Sequence, residues 1–248
     1  MYGHPGPRSG FAVVDVETTG FDPAEQRIVE IGVVILDDDG RELSAFSTLV
    51  DPGCDPGPTH VHGISSPMLT GAPCFAAIHP YVADQLTGRV MVGHNVDGFD
   101  QAFLESECRR VGGDEMAPRN VATLDTLVIA QEQLGLEGRA KLVDCCEHFG
   151  LTWIDHHSAL GDARVTAELF RRMRDNLGDD AIGIPSALNA AVGSFWPGAS
   201  GELPAVTVRS DYVMSGPDDP HGRVVRALRR LMPWPFRGVG RNRQGFDD

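Results

Sequence analysis

The sequence predicts an α/β layer fold, a mixed sheet flanked by helices, followed by a Pro/Gly-rich C-terminal extension. Three observations carry this expectation. Short apolar runs separated by turn residues open the chain, which reads as an antiparallel strand meander. Further apolar runs then alternate with segments of helical spacing, the pattern of an α/β layer. Beyond residue 177 prolines and glycines recur and regular patterning fades.

The elements follow in order. Residues 11–16 (FAVVDV) form an apolar run consistent with a buried strand, and residues 27–36 form a second, with Ile28, Val29, Ile31, Val33, Val34 and Ile35. Asp37-Asp38-Asp39-Gly40 has turn chemistry, with glycine supplying a positive φ, and residues 43–50 return as a third strand. Residues 52–58 read as a loop. Residues 74–86 place Phe75, Ile78, Val82 and Leu86 near helical spacing, and residues 90–92 are another short buried strand. Helices are expected over 101–111, 126–134 and 141–149, and the last long one over 161–175, with Ala163, Ala167, Phe170 and Arg174 along one stripe. In the extension only 206–209, as a strand, and 223–232 (RVVRALRRLM), as a basic amphipathic helix, look regular. The expected organisation is therefore one domain over residues 1–177 and an extension, partly ordered and of no nameable fold, over residues 178–248.

Composition narrows the class. The 248 residues suffice for one generous domain or a domain plus an extension, and at 42% hydrophobic the chain can bury a proper core. No apolar run is long enough to span a membrane, and no basic-apolar-small leader opens the chain, so neither a membrane nor a secretory route is expected. The five cysteines, Cys54, Cys74, Cys108, Cys145 and Cys146, have no metal-ligand spacing. Their odd number and scatter suggest reduced thiols and a cytoplasmic location. A net charge of −14 argues against tight non-specific binding of duplex, because such binding is mostly electrostatic. The charge is uneven: from Pro204 onward eight arginines face five aspartates, so the tail is basic and the body more acidic than the whole. The arginines between Arg223 and Arg230 suit either a grip on phosphate or a solvated helix face.

The residues that carry chemistry sit in three patterns: FAVVDVETTG at 11–20, VGHNVDGFDQAFL at 92–104 and HSALGD at 157–162. Asp15 and Glu17 end the first expected strand, where alternation sends both side chains to one face. Asp100 opens a helix after Phe99, a position also favoured for an acid by the helix dipole. His157 lies in the loop before the last long helix, which Asp162 begins. Four carboxylates and one imidazole, brought together, make a two-metal site for cutting phosphodiesters. In such a site paired divalent ions stabilise both the attacking and the leaving oxygen, and Mg²⁺ prefers oxygen ligands.

These three motifs in this order, with a histidine five positions before the last aspartate, resemble the DEDDh exonuclease family, whose members degrade DNA or RNA from the 3′ end. The family includes the proofreading subunits of bacterial DNA polymerase III, and the related three-prime repair exonucleases. The linking segments VHGISSPML, from Val61, and LDTLVIA, from Leu124, resemble it too, so the likeness covers roughly residues 10–175. It implies the ribonuclease-H-like version of the fold. It also implies a metal-dependent 3′–5′ exonuclease that releases nucleoside 5′-monophosphates from single-stranded or frayed DNA 3′ ends. Two Mg²⁺ or Mn²⁺ ions would be held by Asp15, Glu17, Asp100 and Asp162, with His157 as general base and a DNA polymerase as a possible partner.

Several alternatives stay open at this level. Three residues separate Asn95 from Phe99, so Asp97 competes with Asp100 for the ligand role; the flanking Phe99 and Phe103-Leu104 favour Asp100. His156 adjoins His157, and family spacing selects His157. The substrate side is assigned to Thr18, Thr19, His62 and Asn95. The backbone near Thr18 would touch the terminal nucleotide or form a plain turn. His62 offers a flat ring to a base or sugar, or is a turn histidine beside Gly63. His94 and Asn95 would tie the strand end to neighbouring backbone. VDVETTG departs from the oligoribonuclease form of the motif, which favours DNA. An exoribonuclease of the same family and a catalytically inactive nucleic-acid- or polymerase-binding module are the rival functions.

Overall fold

In the computed structural model, which describes residues 8–136, 140–153 and 157–209, strand β1 (Phe11–Thr18) is the spine of a five-stranded sheet. It pairs antiparallel with β2 (Ile28–Leu36), which pairs antiparallel with β3 (Glu42–Leu49). On its other side β1 pairs in parallel with β4 (Val90–Gly93), and β4 in parallel with β5 (Thr123–Asp125). The order is β3-β2-β1-β4-β5, so the expected mixed sheet is borne out. Around it lie α1 (Thr59–His62), α2 (Phe75–Leu86), α3 (Asp100–Gly112), α4 (Thr126–Gln133), α5 (Leu142–Phe149), α6 (Ala159–Leu177) and α7 (Ile184–Ala191). The described residues all belong to one compact unit. Among them no helix is long and apolar enough to cross a membrane.

Strand alternation sorts the core into two layers. Phe11 and Val13 of β1, with Val34 and Leu36 of β2, face α6, where Leu169, Phe170 and Met173 meet them. Ala12, Val14 and Val16, with Ile31, Val33 and Ile35, face the opposite way, onto α2 and α3. Both faces of the central strands are thus covered, which is why all nine residues of β2 are buried. Arg27, just ahead of β2, grips Glu107 of α3 through both carboxylate oxygens, at 2.6 and 3.0 Å, which sets the lie of α3 across the sheet. All five cysteines are free; burial pushes the Cys108 thiol up to about 12 and those of Cys145 and Cys146 up to about 11, so these three pack as neutral groups.

The expected long elements match the observed ones to within a few residues. Of the short ones, β4 falls on the run expected at 90–92, while the others do not show in the pattern. β5 has three residues and exists through its pairing with β4, and α1 is a single turn. Helix α7 begins at Ile184 with Pro185 in its first turn, where a missing N–H breaks no helical bond; a proline read as punctuation is a helix start. Residues 206–209, expected as a strand, form no strand and are held at the β3 edge by Leu49 N donating to the Thr207 carbonyl (2.7 Å). The basic segment 223–232 lies outside the described residues. Between α7 and residue 209 the chain adds Trp196, fully buried among the residues of α2 and α3.

One glycine governs the approach of the longest helix. Gly32 of β2 pairs with Asp15 of β1, and the start of α6 lies directly over it. A Cβ built on Gly32 would overlap the Ala159 carbonyl and stand 2.5 Å from the Leu160 nitrogen. Both atoms are backbone and have no flexible end to yield. Gly32→Ala should therefore push α6 off the sheet. Overpacking of this kind costs about 1–3 kcal/mol, and a backbone clash belongs at the upper end. Thermal unfolding should show that loss, and any turnover that depends on Asp162 should fall further than the stability change explains, because α6 carries that residue. A Gly32→Ala protein with unchanged melting and turnover would show that the helix is not seated there.

Candidate active site

β1 runs past the end of its β4 neighbour. The parallel pairing covers only Phe11 to Val13, so the rest of β1 projects beyond it. Asp15 and Glu17 occupy this projecting end and point to the α6 side. The β1–β2 register shifts between Glu17 and Thr18, an irregularity of the kind that re-aims side chains at the edge of a site. Asp162, on the first turn of α6, completes a group in which one oxygen from each of Asp15, Glu17 and Asp162 lies within 4.8 Å of the others.

Asp100 joins them from the other face of the sheet. It is the first residue of α3, and its Oδ1 accepts the Val16 N–H at 3.0 Å. That N–H lies between Asp15 and Glu17 and beyond the paired stretch of β4. Asp97, by contrast, is exposed, with its N–H donated to Asp125 Oδ2 (3.3 Å). Asp125 organises this corner. Its Oδ1 caps α4 through Leu127 N (2.9 Å) and takes the Asn95 N–H (2.8 Å). His94 is tied by its ring to Thr126 Oγ1 (3.0 Å) and the Ala140 carbonyl (2.8 Å), as the sequence leads one to expect for the end of this strand.

The electrostatics are those of acids crowded in a low-dielectric site. Burial, then Asp100, Asp162, Glu17 and Glu30, hold the Asp15 carboxyl well above the usual range. Burial, with Asp162 and Glu30 adding to it, pushes Glu17 up to about 8, against an opposing pull from Arg209. Burial also pushes Asp100 up to about 8, although the Val16 N–H favours its charged form. Oxygen donors alone, close together and reluctant to ionise unaided, fit hard divalent cations.

Three surrounding residues escape the sequence reading. Trp153 Nε1 donates to Asp162 Oδ1 at 2.9 Å, and nothing in the pattern marks that tryptophan. Glu30 is the cross-strand partner of Glu17, 3% exposed, and its Oε2 accepts the Ala159 N–H at 3.2 Å. A lone acid inside the apolar run IVEIGVVIL was the available signal. Arg209 reaches in from the far end of the described chain and pairs with Glu30 at 3.4 Å, with no local motif to announce it.

His157 is exposed and has a left-handed backbone, with φ of +61°. His156 lies outside the described residues. Of the substrate-side candidates, Thr18 Oγ1 donates to the Gly20 carbonyl (2.6 Å) and Thr19 Oγ1 to Gln26 Oε1 (2.7 Å), so both hydroxyls shape the β1–β2 turn. Asn95 has φ of +74° and serves the turn after β4. His62 is 1% exposed, with Nδ1 accepting the Ile64 N–H at 3.0 Å. Its ring is therefore enclosed by the loop, and the turn-histidine reading is the one this conformation favours over a stacking face. Phe21, which follows the turn and is 86% exposed, is the unsheltered aromatic here.

The exonuclease family model matches residues 12–170, which span all three acidic patterns. The chain belongs to the exonuclease family. The expected kinship read from the motifs is borne out. The chain is 35% identical over 170 residues to the DNA polymerase III epsilon subunit of Treponema pallidum, covering 66% of this chain and 75% of that protein. It is 30% identical over 184 residues to the PolC-type DNA polymerase III of Caldanaerobacter subterraneus, covering 73% of this chain but only 13% of that much longer protein. Exonuclease X, solved in complex with 5′ overhanging duplex DNA, shares the fold at a TM-score of 0.55 and 23% identity, over 74% of this chain and 99% of that one.

The raised carboxyls make stability depend on pH in a fixed direction. A group whose folded-state pKa is raised adds stability below its unfolded value and loses it as pH climbs through the folded value. In chelator, Glu17 and Asp100 should therefore cost the fold stability progressively between about pH 4 and pH 8. Glu17→Gln and Asp100→Asn should flatten that fall and melt higher than the unsubstituted protein at alkaline pH. Mn²⁺ should reverse it, adding about 2.7 kcal/mol at a hundredfold excess over Kd. Melting curves across pH, with Mn²⁺ and with chelator, check this. A melting temperature indifferent to Mn²⁺ at every pH would remove the metal site.

Proposed function

We propose that the chain is a divalent-metal-dependent 3′–5′ exonuclease that acts on DNA and releases nucleoside 5′-monophosphates. The observation that carries this reading is the meeting of Asp15, Glu17 and Asp162 within 4.8 Å, with Asp100 bonded to the backbone between the first two. These four carboxylates would hold two Mg²⁺ or Mn²⁺ ions. Such a pair, when bound, supplies charge for the attacking and leaving oxygens of the displacement.

The chain's own groups do the rest. His157, on an exposed loop beside α6, accepts the proton of the attacking water through an unprotonated ring nitrogen. An exposed position suits that role, since the imidazole must meet the water without joining the carboxylates as a ligand. Trp153 holds Asp162 in one orientation through its indole N–H. The scissile nucleotide must leave the duplex stack to reach carboxylates recessed at the end of β1, so single-stranded and frayed ends are the favoured substrate. Phe21, exposed at the rim of the turn, offers a ring on which an unstacked base can rest. The acidic body keeps intrinsic affinity for duplex low, which suits an enzyme brought to its substrate by a partner; the kinship with polymerase III subunits makes a DNA polymerase the partner to test.

Matched single-stranded DNA and RNA oligonucleotides, labelled at either end and incubated with Mg²⁺, test the reading. Mononucleotides should be released stepwise from the 3′ end of DNA. Release from the 5′ end, or a strong preference for RNA, would overturn polarity or substrate respectively. Asp15→Asn and Asp162→Asn should abolish turnover with the fold intact. His157→Ala should lower it roughly 10²- to 10⁴-fold, the range of a positioned general base, and His156→Ala only mildly. Asp97→Asn should remain active where Asp100→Asn does not; the reverse would move the fourth ligand.

A further inference from the structure

We propose that Arg209, delivered from the C-terminal side of the catalytic fold, is a positioning residue for the exonuclease reaction: its guanidinium fixes the backbone of His157 to that of His62 and to the buried Glu30. The inference rests on the reading of His157 as the general base.

Three observations converge on it. The first is the set of partners. Arg209 Nη1 donates to the His157 carbonyl at 2.8 Å and to the His62 carbonyl at 2.9 Å, and lies 3.4 Å from Glu30 Oε2. The Arg209 side chain is 8% exposed and its contacts to Glu30 and His62 are partly buried, while the His157 carbonyl it holds lies at the exposed side of the group. All three contacts fall on Nη1, whose two hydrogens serve the two carbonyls while Glu30 stands at ion-pair distance.

The second is the state of what it holds. His157 has a left-handed backbone, φ +61°, which a non-glycine residue keeps only where its surroundings impose it. The carbonyl bond to Arg209 is such an imposition, and it acts on the residue whose imidazole must meet the reacting water. Glu30, the third partner, also accepts the Ala159 N–H at the start of α6, three residues before Asp162. One cation therefore joins the His157 segment, the α6 start and the strand opposite Glu17.

The third is delivery. Thr207 is docked at the β3 edge by its carbonyl, which accepts from Leu49 N (2.7 Å), and by its N–H, which donates to Thr48 Oγ1 (3.0 Å). Two residues later the arginine turns in. Gly63 leaves the room: a Cβ there would stand 3.1 Å from Arg209 Nη2, and its φ of +73° suits glycine.

The test uses the full chain, with Arg209→Ala, Arg209→Lys, His157→Ala and the Arg209→Ala/His157→Ala pair, assayed on a 5′-labelled single-stranded DNA with Mg²⁺. Arg209→Ala should lower kcat by roughly ten- to a hundredfold with KM within about twofold, since it disturbs the base and not the substrate contacts. Arg209→Lys should recover part of the loss. In the His157→Ala background Arg209→Ala should add less than about twofold, because the group it positions is gone. Wild-type kcat in Arg209→Ala, or an equal loss in both backgrounds, would overturn the proposal while leaving His157 as the base. Wild-type turnover in His157→Ala would overturn the base assignment and this inference with it. Should Arg209→Ala fail to fold, Arg209→Lys with and without His157→Ala replaces it: a loss confined to the His157 background supports the proposal, and an equal loss in both, or none, overturns it.

Discussion

The site exists because a helix can lie directly on a strand at one residue. Gly32 offers no side chain to the start of α6, so the Ala159 and Leu160 backbone settles against β2 opposite Asp15. That contact converts a separation of 147 positions between Asp15 and Asp162 into neighbouring carboxylates. Everything else in the arrangement is adjusted to it. Ser158 caps the helix by accepting the Gly161 N–H (3.1 Å), Glu30 takes the Ala159 N–H, and Trp153 takes an oxygen of Asp162.

Close approach has an electrostatic consequence. Acids from β1, α3 and α6 crowd together, and burial with the neighbouring acids holds Asp15, Glu17 and Asp100 above the usual carboxylate range. Folding therefore tolerates a cluster of acids that opposes it once ionised, a familiar condition of sites that bind cations, where the cost is offset by the packed scaffold around it. Here that scaffold is a sheet covered on both faces, with Phe11 and Phe170 fully buried in one layer and Phe103 in the other. The Arg27–Glu107 pair and the Asp100–Val16 bond fix α3 at the other side, so that the fourth carboxylate arrives from a rigid element.

The chain after α6 is part of the same construction. Trp196 fills the layer beneath α2 and α3, α7 caps the opposite layer with Ile184 and Ala191, and Thr207 and Arg209 close over β3, Glu30 and the His157 segment. A cation from a distant stretch thus sits among the acids, and its charge opposes the rise that burial imposes on Glu17. The region is Pro- and Gly-rich, yet its few apolar and hydrogen-bonding residues find specific partners.

Much of this is legible in the chain itself. Periodicity alone marks the long strands and helices, because burial on one or both faces leaves a repeating trace over eight or more residues. The motifs single out Asp15, Glu17, Asp100, Asp162 and His157, because their order and spacing resemble those of the exonuclease family to which the chain belongs. What periodicity does not reveal is anything set by partners remote in sequence: three-residue β5, α7 with its leading proline, the enclosure of His62, and the run at 206–209 that docks on β3 without forming a strand. For Asp100 the flanking Phe99 and Phe103-Leu104 already favour it over Asp97, and packing adds that its carboxylate meets the Val16 N–H. The sequence by itself determined the fold class and the acidic donor set, through local patterning and residue chemistry. The tertiary structure alone decided which groups converge, that Glu30, Trp153 and Arg209 surround them, and how far their charges are perturbed, because those depend on distances and burial that no local pattern encodes.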